Sequence, residues 1–444
     1  MHLALALLAL ISFAHAQDTD RNLSHYVTMM NFRGLPAPAM KNEALYQLGL
    51  RLFYDKQLSG KENISCHSCH ALGGHSADTL PLGVGEGADG LADKRIQNQG
   101  ALLARHTPAL YNLGLPGVAT FFWDGRVRMN QQTGGLLTPE PDLNGPNPKL
   151  KDIAQTLNGN LLATQSLFPM SNPEEMLGQG STMTNIQAWE SIMHRLFNGR
   201  LGGSYQRFFR EAFPGVTNFN IGHAALAIAE LERHHFLAND TPWDRYVRGN
   251  KTLMTERMKR GAIIFLSSKG SCTNCHSGEH FTSWGFQNIG VPQIGPGKSG
   301  GDDKGLMEFT GARSHRYAFR VSPLRNIALT APYMHSGAFS NMWQVIEHYN
   351  TPQQSLKNFT WNPKHPRYRE DLVLDTNFAR MNDRMAMMAM NLPRNLGLTQ
   401  EEKTDLYCFL MVGLTDLKNQ QDLLTKGVLD EIDDCSPRIV GKRY

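Results

Sequence analysis

Cysteine is scarce: six residues in a chain of 444, too few for a disulfide scaffold of this size. Charge of one sign is scarce too. The formal net charge is only +4 and no run of lysine or arginine stands out, so nucleic acid is not expected as a partner. Long apolar runs are nearly missing. Leu3 to Ala14 is too short to span a bilayer, and no later segment is apolar enough for a membrane helix. That run leads into Ala14-His15-Ala16 and the polar Gln17-Asp18-Thr19-Asp20, the order of a secretory leader with a small-x-small cleavage site. The sequence therefore predicts a leader over residues 1–16, cleaved after Ala16, and an exported chain without a transmembrane segment. What remains is long enough for two domains or one large one.

Four of the six cysteines fall in two short units, Cys66-x-x-Cys69-His70 and Cys272-x-x-Cys275-His276. A c-type haem needs two thiols near the two vinyl groups of one porphyrin, and an imidazole able to swing beneath the ring to the iron. Each unit supplies that set. A four-cysteine zinc site combining both pairs, or a thiol redox pair, is the alternative. Neither needs a histidine directly after each pair, and export also favours haem.

The surroundings repeat as well. Leu45, Leu48, Leu52 and Phe53 share a helical face before the first unit; Met258, Ala262, Phe265 and Leu266 do so before the second. In each helix a glycine, Gly49 or Gly261, sits four residues before the phenylalanine and would let another backbone approach closely. Each half also closes with a helix. Ile221, Ala224, Ala225, Ile228 and Leu231 are in phase in one, and Thr399 with Glu402 forms a capping box for the other, which carries Leu406, Phe409 and Leu410. The expectation is a mainly α protein of two cytochrome c-like domains, 17–240 and 241–444, each with one covalently bound haem c.

Three stretches carry a family resemblance: "FFWDGR" (121–126), "FPMSNPEEM" (168–176) and "FRVSPLRNIALTAPYMHSG" (319–337). With the paired haem motifs, they make the chain resemble the bacterial di-haem cytochrome c peroxidases and their relative MauG. The resemblance implies that the N-terminal haem is the peroxide site and the C-terminal haem an electron-transfer or charge-storing site. His70 and His276 would be the iron ligands. In the peroxidases a histidine caps the resting N-terminal haem; the matching position here is Glu86, a poorer iron ligand than imidazole and more useful as a proton relay. That substitution suggests an N-terminal iron that is open or capped only by water. His75 is a rival cap but lies close to His70 in sequence.

The C-terminal haem carries a methionine in the peroxidases and a tyrosine in MauG, and the matching position is Tyr349. Helical phase agrees, since Met342, Val345, Ile346 and Tyr349 share one face while His348 points about 100° away. Met342 and Met334 are weaker rivals. The resemblance further implies Glu175 as the pocket acid/base, Gln165 and Pro169 as its neighbours, and Trp123 between the haems. It also implies a calcium ion held by the carbonyls of Thr330 and Pro332. His106 stands where the family has an asparagine ligand, and imidazole suits a hard cation poorly, so calcium is not favoured.

The first half of an insertion at about 127–162 is rich in Gly, Pro and Asn and reads as loop, and the insertion is expected to be either a lid or docking ledge beside the pocket or a surface excursion. Met381, Met385 and Met388 form a helical stripe, suited to adaptable packing and, less commonly, to Cu(I). Cys408 and Cys435, free of haem, are expected to form a disulfide tying the C-terminal extension to the last helix. The functional expectation is a periplasmic di-haem peroxidase that reduces hydrogen peroxide with electrons from a small cytochrome c or cupredoxin, acting as a monomer or homodimer. MauG-like oxidation of tyrosine or tryptophan in a partner protein is the alternative. A non-catalytic electron carrier or sensor would instead have both irons capped by strong ligands.

Overall fold

The structure, a computed structural model, describes residues 17–420 apart from 41, 73, 74, 131, 299 and 300, together with residue 435. The expected leader and nearly all of the chain after residue 420 lie outside the described residues. The fold is mainly helical. Its principal helices are α1 (Glu43–Tyr54), α2 (Pro148–Leu157), α3 (Leu161–Ser171), α4 (Asn185–Asn198), α5 (Gly202–Ala212) and α6 (Ile221–His235) in the first half. The second half has α7 (Glu256–Leu266), α8 (Met342–Asn350), α9 (Phe378–Ala386) and α10 (Gln400–Cys408). Among the described residues, no helix is long and apolar enough to cross a membrane.

The same helix crossing occurs twice. Asn42 caps α1 by accepting the Leu45 N–H, and Thr255 caps α7 by accepting the Met258 N–H. Each helix then turns its apolar stripe and its glycine onto the closing helix of its half. A Cβ added at Gly49 would stand 1.9 Å from the Ala227 carbonyl oxygen of α6; one at Gly261 would stand 1.9 Å from that of Asp405 in α10. Only glycine admits either approach. The capping box of Thr399 and Glu402 starts α10 as expected.

Two separate apolar cores result. The first gathers Leu52, Phe53, Leu167, Trp189, Phe209 and Ile228; the second gathers Trp243, Phe265, Phe281, Ile346, Leu406 and Phe409. Leu23 and Phe32 pack in the second core, not the first. The segment before α1 therefore crosses over to the C-terminal half, and the expected division at residue 240 does not hold for it. Cys408 and Cys435 form the expected disulfide, with both cysteines buried in the second core.

Short strands brace the region between the cores. β1 (Thr120–Phe121), β2 (Val127–Met129) and β3 (Leu136–Leu137) make an antiparallel meander with Thr120 opposite Arg128 and Arg128 opposite Leu137. β4 (Phe286–Gln287) pairs antiparallel with β5 (Phe319–Arg320), Phe286 opposite Arg320. The first half of the insertion is thus more ordered than a loop, since it holds β2 and β3; its second half forms α2, whose Leu150, Ile153 and Leu157 are buried in the first core. The methionine stripe is also corrected, because α9 ends at Ala386 and Met388 instead packs over Gly290.

Candidate functional site

Each CxxCH unit opens onto its own cavity. Cys66, Cys69 and His70 line one of about 1340 Å³, and Cys272, Cys275 and His276 line another of about 1530 Å³. The two units present their histidines alike. His70 donates from Nδ1 to the Ser76 carbonyl at 2.8 Å, and His276 from Nδ1 to the Phe281 carbonyl at 2.9 Å. Fixing the proton on Nδ1 leaves Nε2 with the lone pair that a metal requires. Burial pushes the pKa of Cys66 and of Cys272 up to about 12, the opposite of what a redox or zinc thiolate needs. Among the described residues no His/Cys/Asp/Glu group is placed to hold a metal ion by itself, so the two cysteine pairs do not combine into a zinc site. Two large, mainly apolar cavities, each with paired thiols and an oriented imidazole at its wall, fit a covalently bound tetrapyrrole.

The N-terminal cavity collects most of the expected catalytic residues. Gln165, Pro169, Glu175 and Trp123 line it together with His70. Pro169 lies inside α3 and has no N–H to give the carbonyl of Gln165, four residues back. Glu175 follows on the turn Pro173–Leu177, and its Oε1 accepts from Asn172 Nδ2 at 2.9 Å and Arg126 Nη2 at 3.2 Å. None of the described residues of 127–162 lines this cavity, so these residues do not form a lid over it.

Glu86 is placed differently from expectation. Its carboxylate is buried but does not line the cavity; it accepts from Asn63 and pairs with Lys61 at 3.1 Å. Its backbone N–H donates to the Glu175 carbonyl at 2.8 Å, and Gly85 lets that strand of chain press against Glu174. Glu86 therefore positions the Glu175 turn and is not a proton relay at the cavity surface. His75 does not line the cavity either and sits beside Tyr111. Two strong donors besides His70 do line it. The His106 ring is turned to the Leu80 carbonyl at 2.7 Å, and Met176 is packed into the first core.

In the C-terminal cavity Met342, Val345, Ile346 and Tyr349 all line the wall with His276, and Met334 lines it as well. His348 does not; its ring is held by the Ile289 carbonyl and the Ser355 hydroxyl. Burial, and then the neighbouring Cys275 and Cys272, push the Tyr349 phenol well above its ordinary range, so it stays neutral until a cation faces it.

Trp123 lines both cavities. Its Nε1–H donates to the His106 carbonyl at 2.8 Å, and its own carbonyl accepts the Arg320 N–H at 2.8 Å. Sequence reasoning missed the buried ion chain beside it. Glu175 pairs with Arg126, Arg126 with Asp124 at 3.2 Å, Asp124 with Arg105 at 2.6 Å, and Arg105 with Asp303 at 2.6 Å, reaching the C-terminal cavity. Burial opposes the charge on Asp124, but Arg105, Arg126 and Lys298 outweigh it and hold the carboxyl far below its usual range. Also missed was Glu232 of α6, a buried carboxyl on the N-terminal cavity wall whose Oε2 has no partner and whose pKa burial pushes up to about 8.

His106, Thr330 and Pro332 do meet, at a third and smaller cavity of about 510 Å³. Its lining has no carboxylate and includes Arg320 and Arg325. The Arg320 guanidinium repels a hard cation and the neutral His106 imidazole is a poor ligand for one, so these residues do not fit calcium.

Comparison with known proteins agrees with this geometry. Residues 43–252 match the family described as di-haem cytochrome c peroxidase. The chain is 29% identical to the cytochrome c551 peroxidase of Pseudomonas aeruginosa, over 70% of this chain and 71% of that one. It is 26% identical to the methylamine utilization protein MauG of Methylorubrum extorquens, over 73% and 75% of the two chains. The crystal structure of a MauG-like protein associated with microbial copper homeostasis superposes with a TM-score of 0.59 at 26% identity, covering 87% of this chain and 94% of that one. Over most of its length the chain is thus similar to the di-haem cytochrome c peroxidases and to MauG, which are oxidoreductases of the peroxidase type.

Proposed function

We propose that the chain is an exported, periplasmic di-haem c peroxidase that reduces hydrogen peroxide with electrons from a small cytochrome c or cupredoxin. The observation that carries this reading is the meeting of Gln165, Pro169 and Glu175 with Cys66, Cys69 and His70 around one cavity. Bound haem would supply an iron that takes peroxide oxygen and a conjugated ring that exchanges electrons. Cys66 and Cys69 would anchor one haem and Cys272 and Cys275 the other, with His70 and His276 beneath the irons. Glu175 has its Oε1 held by Arg126 and Asn172, which leaves Oε2 to accept a proton from peroxide and return it to the departing oxygen. Two electrons and two protons complete the reduction of peroxide to two waters. Trp123, on the wall of both cavities, offers a π-system between them.

The second reading, MauG-like oxidation of tyrosine or tryptophan in a partner protein, draws support from Tyr349 on the C-terminal cavity wall. A phenolate favours higher-valent iron where a thioether favours reduced iron. Turnover separates the two. With a reduced small redox protein present, the peroxidase reading expects stoichiometric oxidation of the donor as peroxide is consumed. Peroxide-dependent change in a partner's aromatic residues, with no donor turnover, would replace it with the second. A ferric EPR spectrum should show one high-spin and one low-spin haem; two low-spin haems would favour a non-catalytic carrier.

A further inference from the structure

Arg320 is a buried cation without a counter-ion among the described residues. It is 4% exposed, and among the described residues its guanidinium makes no ion pair or carboxylate contact, lying only 5.7 Å from the centre of the Trp284 ring. Nη1 donates to the Thr120 carbonyl at 3.1 Å, while Nε has no partner. The other buried arginines on the two cavity walls are neutralised: Arg105 by Asp124 and Asp303, Arg384 by Asp302 and Asp375. Burial lowers the Arg320 pKa only to about 10, so it remains charged at neutral pH. An unpaired charge buried in this way is costly, and proteins keep one only where something anionic meets it.

The position of Arg320 says what meets it. Its side chain lines the N-terminal cavity, the C-terminal cavity and the small cavity between them. Register fixes it there: Arg320 ends β5 opposite Phe286, and its N–H is bound to the Trp123 carbonyl. A c-type haem carries two propionates on the ring edge away from its thioether bonds. Cys66 and Cys69 would anchor the vinyl edge of one ring and Cys272 and Cys275 that of the other, which would leave the acidic edges free to meet Arg320, a residue that lines both cavities. A guanidinium presents its N–H donors as a rigid planar fork matched to carboxylates, with room for more than one.

We propose that Arg320 is the shared counter-ion of propionates from both haems, and that its charge sets the reduction potential of both. This rests on the di-haem reading above. The test compares Arg320→Gln and Arg320→Lys with the parent protein, each exported and loaded with haem. Two haems c per chain in the pyridine haemochrome assay establish the reading itself; fewer in the parent would overturn that reading before Arg320 is reached. Given two haems, loss of the charge in Arg320→Gln should lower both midpoint potentials. The expected change is about tenfold or more in each reduction equilibrium, or roughly 59 mV per tenfold for a one-electron couple. Arg320→Lys keeps the charge but not the fork, so both potentials should stay near the parent's while the resonance Raman propionate-bending bands of both haems shift. Unmoved potentials, or movement confined to one haem, would overturn the shared role. Should Arg320→Gln fail to fold, unchanged propionate bands in Arg320→Lys would do the same.

Discussion

Replacing Gly261 by alanine adds one methyl group, and the structure gives the cost a direction. The new Cβ would lie 1.9 Å from the Asp405 carbonyl oxygen and 2.5 Å from its carbon. Ordinary contact begins at 3.4 Å, and both partners are backbone, so no rotamer change relieves the clash. Helices α7 and α10 must separate, drawing Phe265 from Leu406 and Leu410, which together wall the C-terminal cavity. Overpacking of this kind costs about 1–3 kcal/mol. Alanine returns roughly 0.5–1 kcal/mol in helix propensity. The net loss of about 1 kcal/mol corresponds to a fall of roughly 2–4 °C in Tm for a unit of this size. Gly49→Ala meets the same distance to Ala227 and should behave alike. Gly203 in α5 is the internal control. A Cβ there meets nothing within 4 Å, so Gly203→Ala should raise Tm by a degree or two through a stiffer unfolded chain. Far-UV circular dichroism melts of the four haem-loaded proteins read all of this. If Gly49→Ala and Gly261→Ala melt with the parent, the two crossings are not backbone contacts and the repeated-module reasoning fails.

Three further outcomes follow from the cavities. Tyr349→Met should move the potential of the C-terminal haem upward in a spectroelectrochemical titration, and no movement would remove Tyr349 as its ligand. Glu175→Gln should slow peroxide-driven oxidation, followed by stopped-flow absorbance, by about two orders of magnitude or more; an unchanged rate would move the acid/base role elsewhere. Glu232 should make stability fall as pH rises. The unfolded carboxyl releases its proton near 4.5 and the buried one only near 8, so folding is penalised progressively between those values, by on the order of a few kcal/mol. Glu232→Gln should flatten the fall in Tm between pH 5 and 8, and parallel slopes in the two proteins would refute the assignment.

The parts legible in the sequence were those written locally. Helical phase placed Met342, Val345, Ile346 and Tyr349 on one cavity wall and turned His348 away from it. Glycine four residues before phenylalanine announced both helix crossings, because a missing side chain inside an apolar stripe has few other uses. The parts not legible depend on partners far apart in the chain. Glu86 stands at the expected distance after the first motif, yet Lys61 and Asn63 draw its carboxylate away from the cavity. Nothing local reveals that Leu23 and Phe32 cross to the second core, since their apolar character fits either one. Arg320 sits within the conspicuous "FRVSPLRN" stretch, but its isolation shows only beside the carboxylate-paired Arg105 and Arg384 of the same cavity walls.

The two cavities are joined by two different kinds of material. One is the chain of alternating charges from Glu175 to Asp303, each member held by the next. Fixed ion pairs cost reorganisation to change protonation, so such a chain is a poor path for protons and a good brace for Glu175. The other is Trp123, uncharged and held at both its indole nitrogen and its carbonyl. Electron transfer is favoured where the surroundings reorganise little, and these two hydrogen bonds hold Trp123 in place. In the proposed function Glu175 would move protons at its Oε2, while Trp123 would offer a π-system between the cavities. Breaking the brace with Asp124→Asn would release Arg105 and Arg126 together, leaving two buried guanidiniums with one carboxylate fewer. Peroxide-driven oxidation and inter-haem transfer should then both slow. A variant that slowed only one of them would show that the brace serves a single cavity.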